Sequence, residues 1–278
     1  MFQGRKLLIV TKHYKEQVIA PILEKELGVT CFVSDTIDTD TLGTFSGEIN
    51  RSEDALNTLR KKCMLGIQHH NVDLVVASEG SFGPHPSIFF AHADEELLMF
   101  MDTKNDLEII AREISLDTNF NGSPVTSESR LTAFAEQAKF PSHALILKPS
   151  ENNFSKIVKG ITSREELIQH FYKFVSEFGK AYVETDMRAM YNPTRMAVIA
   201  TAAEKLVTTI KNCCPNCHTP GFSVNSVKSG LPCEICNFPT KSTLSFIYKC
   251  KKCLYESEEK FPHQKYTEDP MYCDYCNP

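Results

Sequence analysis

Cys214-Pro215-Asn216-Cys217, Cys233-Glu234-Ile235-Cys236, Cys250-Lys251-Lys252-Cys253 and Cys273-Asp274-Tyr275-Cys276 decide how the last quarter of this chain folds. Two residues between thiols let both sulfurs of a tight knuckle face one ion at about 2.3 Å. Fifteen residues separate the first two pairs and nineteen the last two. Both gaps fit the C-x2-C-x(15–20)-C-x2-C spacing of a four-thiolate zinc site. Eight cysteines make two closed sites, and closed sites are structural because catalytic zinc keeps one position open. The spacing therefore predicts two structural Zn2+ ions. We expect sequential pairing, Cys214/Cys217 with Cys233/Cys236 and Cys250/Cys253 with Cys273/Cys276, because it closes the shorter loops; interleaving is the alternative. Cys213 reads as a spare thiol, and Cys31 and Cys63 as core residues.

Outward from the knuckles, the composition narrows the options. At 278 residues there is room for one larger domain, 1–208, and a small one, 209–278. No apolar run reaches the ~20 residues that span a bilayer, so no membrane association is expected. The N-terminus lacks a small-residue cleavage site, and thiols in this pattern need reducing conditions, so the expected compartment is cytoplasmic. From residue 206 onward 8 Lys/Arg stand against 7 Asp/Glu, a formal +1, leaving 22 and 28 before it, a formal −6. Two filled four-thiolate sites subtract four charges from the tail. Strong phosphate-backbone binding needs a cationic excess, so the charge does not favour nucleic acid as a partner.

Upstream of the knuckles, short apolar runs alternate with helical patterns. Strands are expected at 6–11, 29–34, 74–77, 96–102, 107–114, 143–148 and 181–184, with a hairpin joining the fourth and fifth. Helices are expected at 15–27 with Gly28 as stop, at 52–69, at 129–138, after the capping box Ser163-Arg164-Glu165-Glu166, and from Asn192-Pro193 to about Ile210. Such alternation predicts an α/β domain built on a mixed sheet, followed by a small double zinc ribbon.

Polar, glycine-containing segments repeatedly follow the expected strands: 11–16, 38–48, 78–86, and 185–188 with 192–195. Ligands sit beyond the carboxyl ends of parallel strands in an open α/β sheet. On one rim these segments would gather carboxylates (Asp38, Asp40, Glu48, Glu79, Asp186), cations (Lys12, Lys15, Arg188, Arg195) and glycine amides. Carboxylates hold a hard ion such as Mg2+ or Mn2+ together with substrate phosphate, and cations hold the phosphate itself. The candidate catalytic set is therefore Lys15, Asp40, Glu48, Glu79 and Arg188, with Asp38, Glu79 and Asp186 as candidate divalent-ion ligands. Neither a G-x-S-x-G elbow nor a Walker or G-x-G-x-x-G sequence is present. Asp186 with Arg188 reads equally well as a buried ion pair anchoring the last helix.

The strings TKHYKEQVIAP, DTDTLGTFSGEINR, ASEGSFGPHP, ETDMRAMYNPTR, CPNCHTPGF, GLPCEIC and CDYCNP together resemble an uncharacterised bacterial family with C-terminal zinc knuckles, for which no activity is implied. In layout the first part is also similar to the inosine/xanthosine triphosphate pyrophosphatase superfamily. Thr11 and Lys15 stand where that group has a strand-end Thr and a Lys four residues on, and Ala77-Ser78-Glu79-Gly80 matches its strand followed by Glu-Gly. That resemblance implies a Mg2+-dependent cleavage of nucleoside triphosphates, with Lys15 on phosphate and Glu79 on the metal. The superfamily's Asn after the Thr is Lys12 here, and its Ser-His-Arg string is absent. The expected function is a metal-dependent hydrolase of a nucleotide or related phosphate ester. The alternatives are a zinc-ribbon adaptor for protein or nucleic acid, and a sensor of a small anion.

Overall fold

Leu7, Leu8, Ile9 and Val10 are all buried, as a strand covered on both faces requires. In the computed structural model, which describes residues 1–34, 54–88 and 90–278, they form the centre of β1 (Lys6–Val10). There follow α1 (Glu16–Leu27), β2 (Thr30–Val33), α2 (Ala55–His70), β3 (Leu74–Pro84), β4 (His92–Asp102) and β5 (Leu107–Ser115). These strands make one sheet in the order β2-β1-β3-β4-β5. β1 runs parallel to β2 and β3, while β3-β4 and β4-β5 are antiparallel. α1 stops at Gly28 in the left-handed conformation, and α2 starts at Asp54, whose carboxylate accepts the Asn57 N–H. Leu59 and Cys63 of α2 pack on Val75, Ala77 and Met99 of the sheet.

A second sheet belongs to β6 (Gly122–Val125), β7 (Leu145–Lys148), β8 (Val158–Ile161) and β9 (Ala181–Thr185), ordered β6-β9-β7-β8 and antiparallel throughout. The helices α3 (Glu128–Gln137) and α4 (Arg164–Phe178) cover it through Leu131, Phe134, Leu167, Phe171 and Phe174. Ser127 and Ser163 cap these helices by accepting the Arg130 and Glu166 N–H groups, and Gly179 closes α4 at φ 75°. The long helix α5 (Pro193–Lys211) begins where Asn192 Oδ1 accepts the Arg195 N–H.

The architecture is mixed α/β, as expected, but three features differ from the reading of the sequence. β3 does not stop at Ala77; it continues through Glu79-Gly80-Ser81 to Pro84, paired along its whole length with β4. Two edge strands, β6 and β8, were not anticipated. Each is short, and β6 contains Pro124, which an edge tolerates and a central strand does not. Finally, β9 belongs to the antiparallel sheet, so the segment carrying Asp186 and Arg188 leaves a different sheet from the one that ends at Lys15.

The described residues divide into two compact units, Met1–Val207 and Thr208–Pro278. The second contains β10 (Ser223–Ser229), β11 (Thr243–Lys249) and β12 (Glu256–Lys260), an antiparallel sheet in that order. Among the described residues no helix is long and apolar enough to cross a membrane.

Candidate metal centres and a buried ion cluster

Each Cys-x-x-Cys pair is built the same way. The residue after the second cysteine donates its N–H to the first cysteine's carbonyl: His218 to Cys214, Asn237 to Cys233, Leu254 to Cys250 and Asn277 to Cys273, at 2.8–3.0 Å. His218, Asn237 and Leu254 take positive φ to do so. The first cysteine of every pair is buried. These are four knuckles, and the eight thiols fall into two tetrads: Cys214, Cys217, Cys250 and Cys253, and Cys233, Cys236, Cys273 and Cys276.

The expected sequential pairing is thus overturned; the knuckles interleave. The register of the sheet explains why. Ser223 lies opposite Lys249, so the knuckle before β10 meets the knuckle after β11. The second knuckle follows the other end of β10, and a seven-residue strand holds the ends roughly 20 Å apart. Glu268 brings the fourth knuckle's segment to the second: its N–H donates to Pro232 and its carbonyl accepts from Glu234.

The donor geometry fits a tetrahedral ion. Sulfurs bound at 2.3 Å in a tetrahedron lie about 3.8 Å apart, whereas a disulfide needs about 2.0 Å. Cys214–Cys253 and Cys217–Cys250 are each separated by 3.6 Å, Cys236–Cys273 by 3.6 Å and Cys233–Cys276 by 3.8 Å. The Thr219 hydroxyl beside the Cys217 sulfur favours the thiolate, bringing its pKa down to about 6. Cys213 is exposed and outside both tetrads. Two cysteine tetrads compatible with zinc are the metal-binding feature of this unit.

In the first unit, ionisable side chains collect where β1 ends and β3 runs on. His13 and Tyr14 both take positive φ, turning the chain so that Lys15 opens α1. The Lys15 ammonium donates to Glu96 Oε2 at 3.3 Å, and the Arg195 Nε donates to Glu96 Oε1 at 2.6 Å. The Arg195 guanidinium lies 5.1 Å from the Phe82 ring centre and also donates to the Met187 carbonyl. Lys62 of α2 donates to the Ser78 carbonyl and pairs with Glu79 at 2.5 Å. All five charged side chains are buried. So is Asp94, 1% exposed, and neither of its carboxylate oxygens has a hydrogen-bond partner.

The electrostatics follow from that burial. Asp94 is pushed up to about 7, first by burial and then by the Glu96 charge, against the pull of Arg195 and Lys15. Lys15 is brought down to about 8 by burial, which outweighs the attraction of Glu96. A carboxyl and an ammonium poised this close to neutrality are suited to moving protons.

Gly80 lies directly opposite Glu96 on the adjacent strand. A Cβ there would fall inside the contact distance of Glu96 Oε1 and Arg195 Nη2. Those two side chains are locked by burial, so Gly80→Ala should destabilise the protein by about 1–3 kcal/mol. Urea denaturation checks this, and an unchanged midpoint would mean that the Glu96–Arg195 pair yields freely.

Of the residues expected at one rim, Lys15 and Arg195 meet at Glu96, whereas Glu79, opposite Leu97, points to the α2-covered face of the sheet, where Lys62 holds it and only its charge acts on Lys15. Arg188 does not join it. Its guanidinium is bound to Asp186 at 2.6 Å and lies over Tyr191, and the Asp186 carboxylate also accepts the Gly160 N–H. The physical reason is the sheet assignment, since β9 ends in the second sheet. Asp38, Asp40 and Glu48 lie outside the described residues. His85 is a turn residue whose Nδ1 accepts the N–H groups of Ser87 and Ile88. Three members were missed: Lys62, Asp94 and Glu96. Asp94 and Glu96 continue the face of the buried Leu98 and Phe100 at a spacing of two, and that period is the signal that places them among buried residues.

A family model described as "Domain of unknown function (DUF6671)" matches residues 62–278. No curated protein matches the chain. Among solved structures, the lipoprotein GNA1162 from Neisseria meningitidis aligns over 48% of this chain and 94% of its own, at 13% identity and a TM-score of 0.22.

Proposed function

Because the chain belongs to the DUF6671 family, whose description names no activity, we propose a function from the chemistry of the buried cluster: metal-dependent hydrolysis of a nucleotide or a related phosphate ester. The observation that carries it is Asp94, a fully buried carboxylate without a hydrogen-bond partner, set beside Lys15, Glu96 and Arg195. Burying six ionisable groups together costs stability, and such groupings are concentrated at functional sites.

In this reading Asp94 takes the proton of an attacking water as its oxygen bonds to phosphorus. The ester P–O bond breaks, the leaving oxygen keeps the electron pair, and Lys15 returns a proton to it. Arg195 faces the developing negative charge while Glu96 holds both cations in place. Among the described residues, three or more metal-ligating groups converge only in the cysteine tetrads. A Mg2+ or Mn2+ ion would rest mainly on substrate oxygens, the usual sparse protein coordination of Mg2+, and would take Glu79 as a ligand only by displacing Lys62 from it. Its contribution when bound is to neutralise phosphate charge.

The test is a panel of nucleotides and simple phosphate esters with Mg2+ or Mn2+, reading phosphate and pyrophosphate release. Turnover should rise as Asp94 loses its proton near pH 7 and fall as Lys15 loses its own near pH 8, giving a narrow optimum around 7.5. Absence of turnover across the panel would sink the reading, and equal turnover by Glu79→Gln would remove Glu79 from it.

One observation favours a docking role for the tail, alongside catalysis or in its place. Ile235, Phe238, Met271, Tyr272 and Tyr275 are all exposed around the second tetrad, and Phe238 stacks on Tyr275 at 6.0 Å. Exposed aromatic and aliphatic groups gathered in this way suit a protein partner.

A further inference from the structure

The face of the second sheet turned away from α3 and α4 opens into a cleft of about 280 Å³ that takes in the segment 185–188 singled out in the sequence. Its walls are the rings of Phe120, Phe154 and Tyr182. The position of Tyr182 is built in. On the neighbouring strand Gly122 leaves room for that ring, since a Cβ at Gly122 would meet Tyr182 Oη at 2.5 Å.

The cations of the cleft are spoken for, and Glu151 adds a further negative charge to its lining. Lys148 is paired with Glu184 at 2.7 Å and sits 4.8 and 5.3 Å from the centres of the Phe154 and Tyr182 rings. Arg188 is paired with Asp186. A lining whose cations are neutralised by their own carboxylates holds little attraction for a free phosphate. Aromatic faces instead offer stacking to an uncharged planar ring, and the carboxamides of Asn121 and Asn152 at the same cleft offer donors and acceptors to its polar edge.

The cleft also shares a wall with the ion cluster. Phe120 stacks on Phe82 at 5.5 Å, and the Arg195 guanidinium lies over that same Phe82. Met187 lines the cleft, and its carbonyl accepts from Arg195. Two adjoining compartments result, one rich in rings and carboxamides, the other in buried charge.

We infer that the cleft binds the base of a nucleoside and, resting on the reading of the ion cluster as a hydrolytic centre, that it selects nucleotides by holding the base while the phosphate lies at Lys15 and Arg195. The volume is near the lower end for small-molecule sites, which suits a nucleoside better than a larger cofactor.

Calorimetric titration of the full chain with adenosine, guanosine, cytidine and uridine, with glucose as the sugar control, tests this. At least one nucleoside should saturate below about 1 mM, and glucose should not. Tyr182→Ala should weaken binding at least tenfold, in line with the loss of one base–ring stack. Phe154→Ala, at a residue already one-third exposed, should do the same without unfolding, which a thermal melt verifies. Asp94→Asn should bind within twofold of wild type. No saturation by any nucleoside, equal binding of glucose, or wild-type affinity in both ring variants would overturn the inference. Nucleoside binding without turnover of any nucleotide leaves the cleft standing and removes the hydrolase; turnover of simple esters without nucleoside binding does the reverse.

Discussion

Replacing the first and third knuckles by serine, Cys214, Cys217, Cys250 and Cys253 together, should leave a protein that binds one zinc ion per chain. Replacing the first and second, Cys214, Cys217, Cys233 and Cys236, should leave one that binds none tightly. Sequential pairing demands the opposite pattern, so metal content by atomic emission decides between them. The expectation follows from the tetrads, because the second variant strips two thiolates from each centre and the first empties one centre while sparing the other. The stakes are high in energy. Structural zinc contributes roughly 10–16 kcal/mol in small finger peptides at pH 7, and besides the first cysteine of each knuckle the buried apolar side chains of this unit are few: Ile210, Phe222 and Leu231. A strong chelator acting on the wild type should therefore abolish hydrogen-exchange protection in β10, β11 and β12. The core of the first unit, with its own helices and sheets, should keep its protection. Undiminished protection in the tail after metal removal would show that the strands hold without the ion.

Asp94→Asn should separate stability from activity. The Asp94 proton is held more tightly in the folded chain, up to about pH 7, than in the unfolded chain, near 3.9. Stability from this group is thus fully present below about pH 4 and is lost as pH rises through 7. The amide cannot ionise, so the variant should lack that loss. At pH 8 it should be the more stable protein by roughly 1–4 kcal/mol, the free energy of a shift of up to three units. At pH 4 the advantage should vanish. Removing the proton acceptor should meanwhile lower turnover at least about 100-fold. Urea denaturation at the two pH values, with the phosphate-release assay, measures both. A variant less stable than wild type at pH 8 would mean that the carboxylate is satisfied in its charged form, and the role assigned to it would fall.

How much of this was legible in the sequence depended on whether a residue's partner was local. Knuckles, helix caps and the β4–β5 hairpin are short-range devices, and Gly28, Ser163 and Asn192 act within a turn of the helices they bound, although α2 is capped by Asp54 and α3 by Ser127 rather than where the sequence reading began those helices. The pairing of the knuckles was not local. Loop-closure entropy treats the chain between them as featureless, with a preference that varies only logarithmically with length; here that chain contains a strand, which separates its ends by geometry. The polar half of β3 was hidden for a related reason. Glu79, Gly80 and Ser81 resemble a loop until β4 is placed beside them, supplying Glu96 opposite Gly80. Lys62 was hidden among the apolar positions of a helix, where its charge became intelligible only with Glu79 across from it.

The alternation of knuckles also dictates an order of assembly. As the polypeptide is synthesised, Cys233 and Cys236 emerge before Cys250 and Cys253 complete the first tetrad, yet their own partners, Cys273 and Cys276, come later still. For that interval two thiols of the second centre stand beside a centre that is closing, able to capture its ion. What selects the correct partner is the β10–β11 hairpin: by aligning Ser223 with Lys249 it delivers the third knuckle to the first and carries the second out of reach. Strand pairing thus sets which knuckles come together.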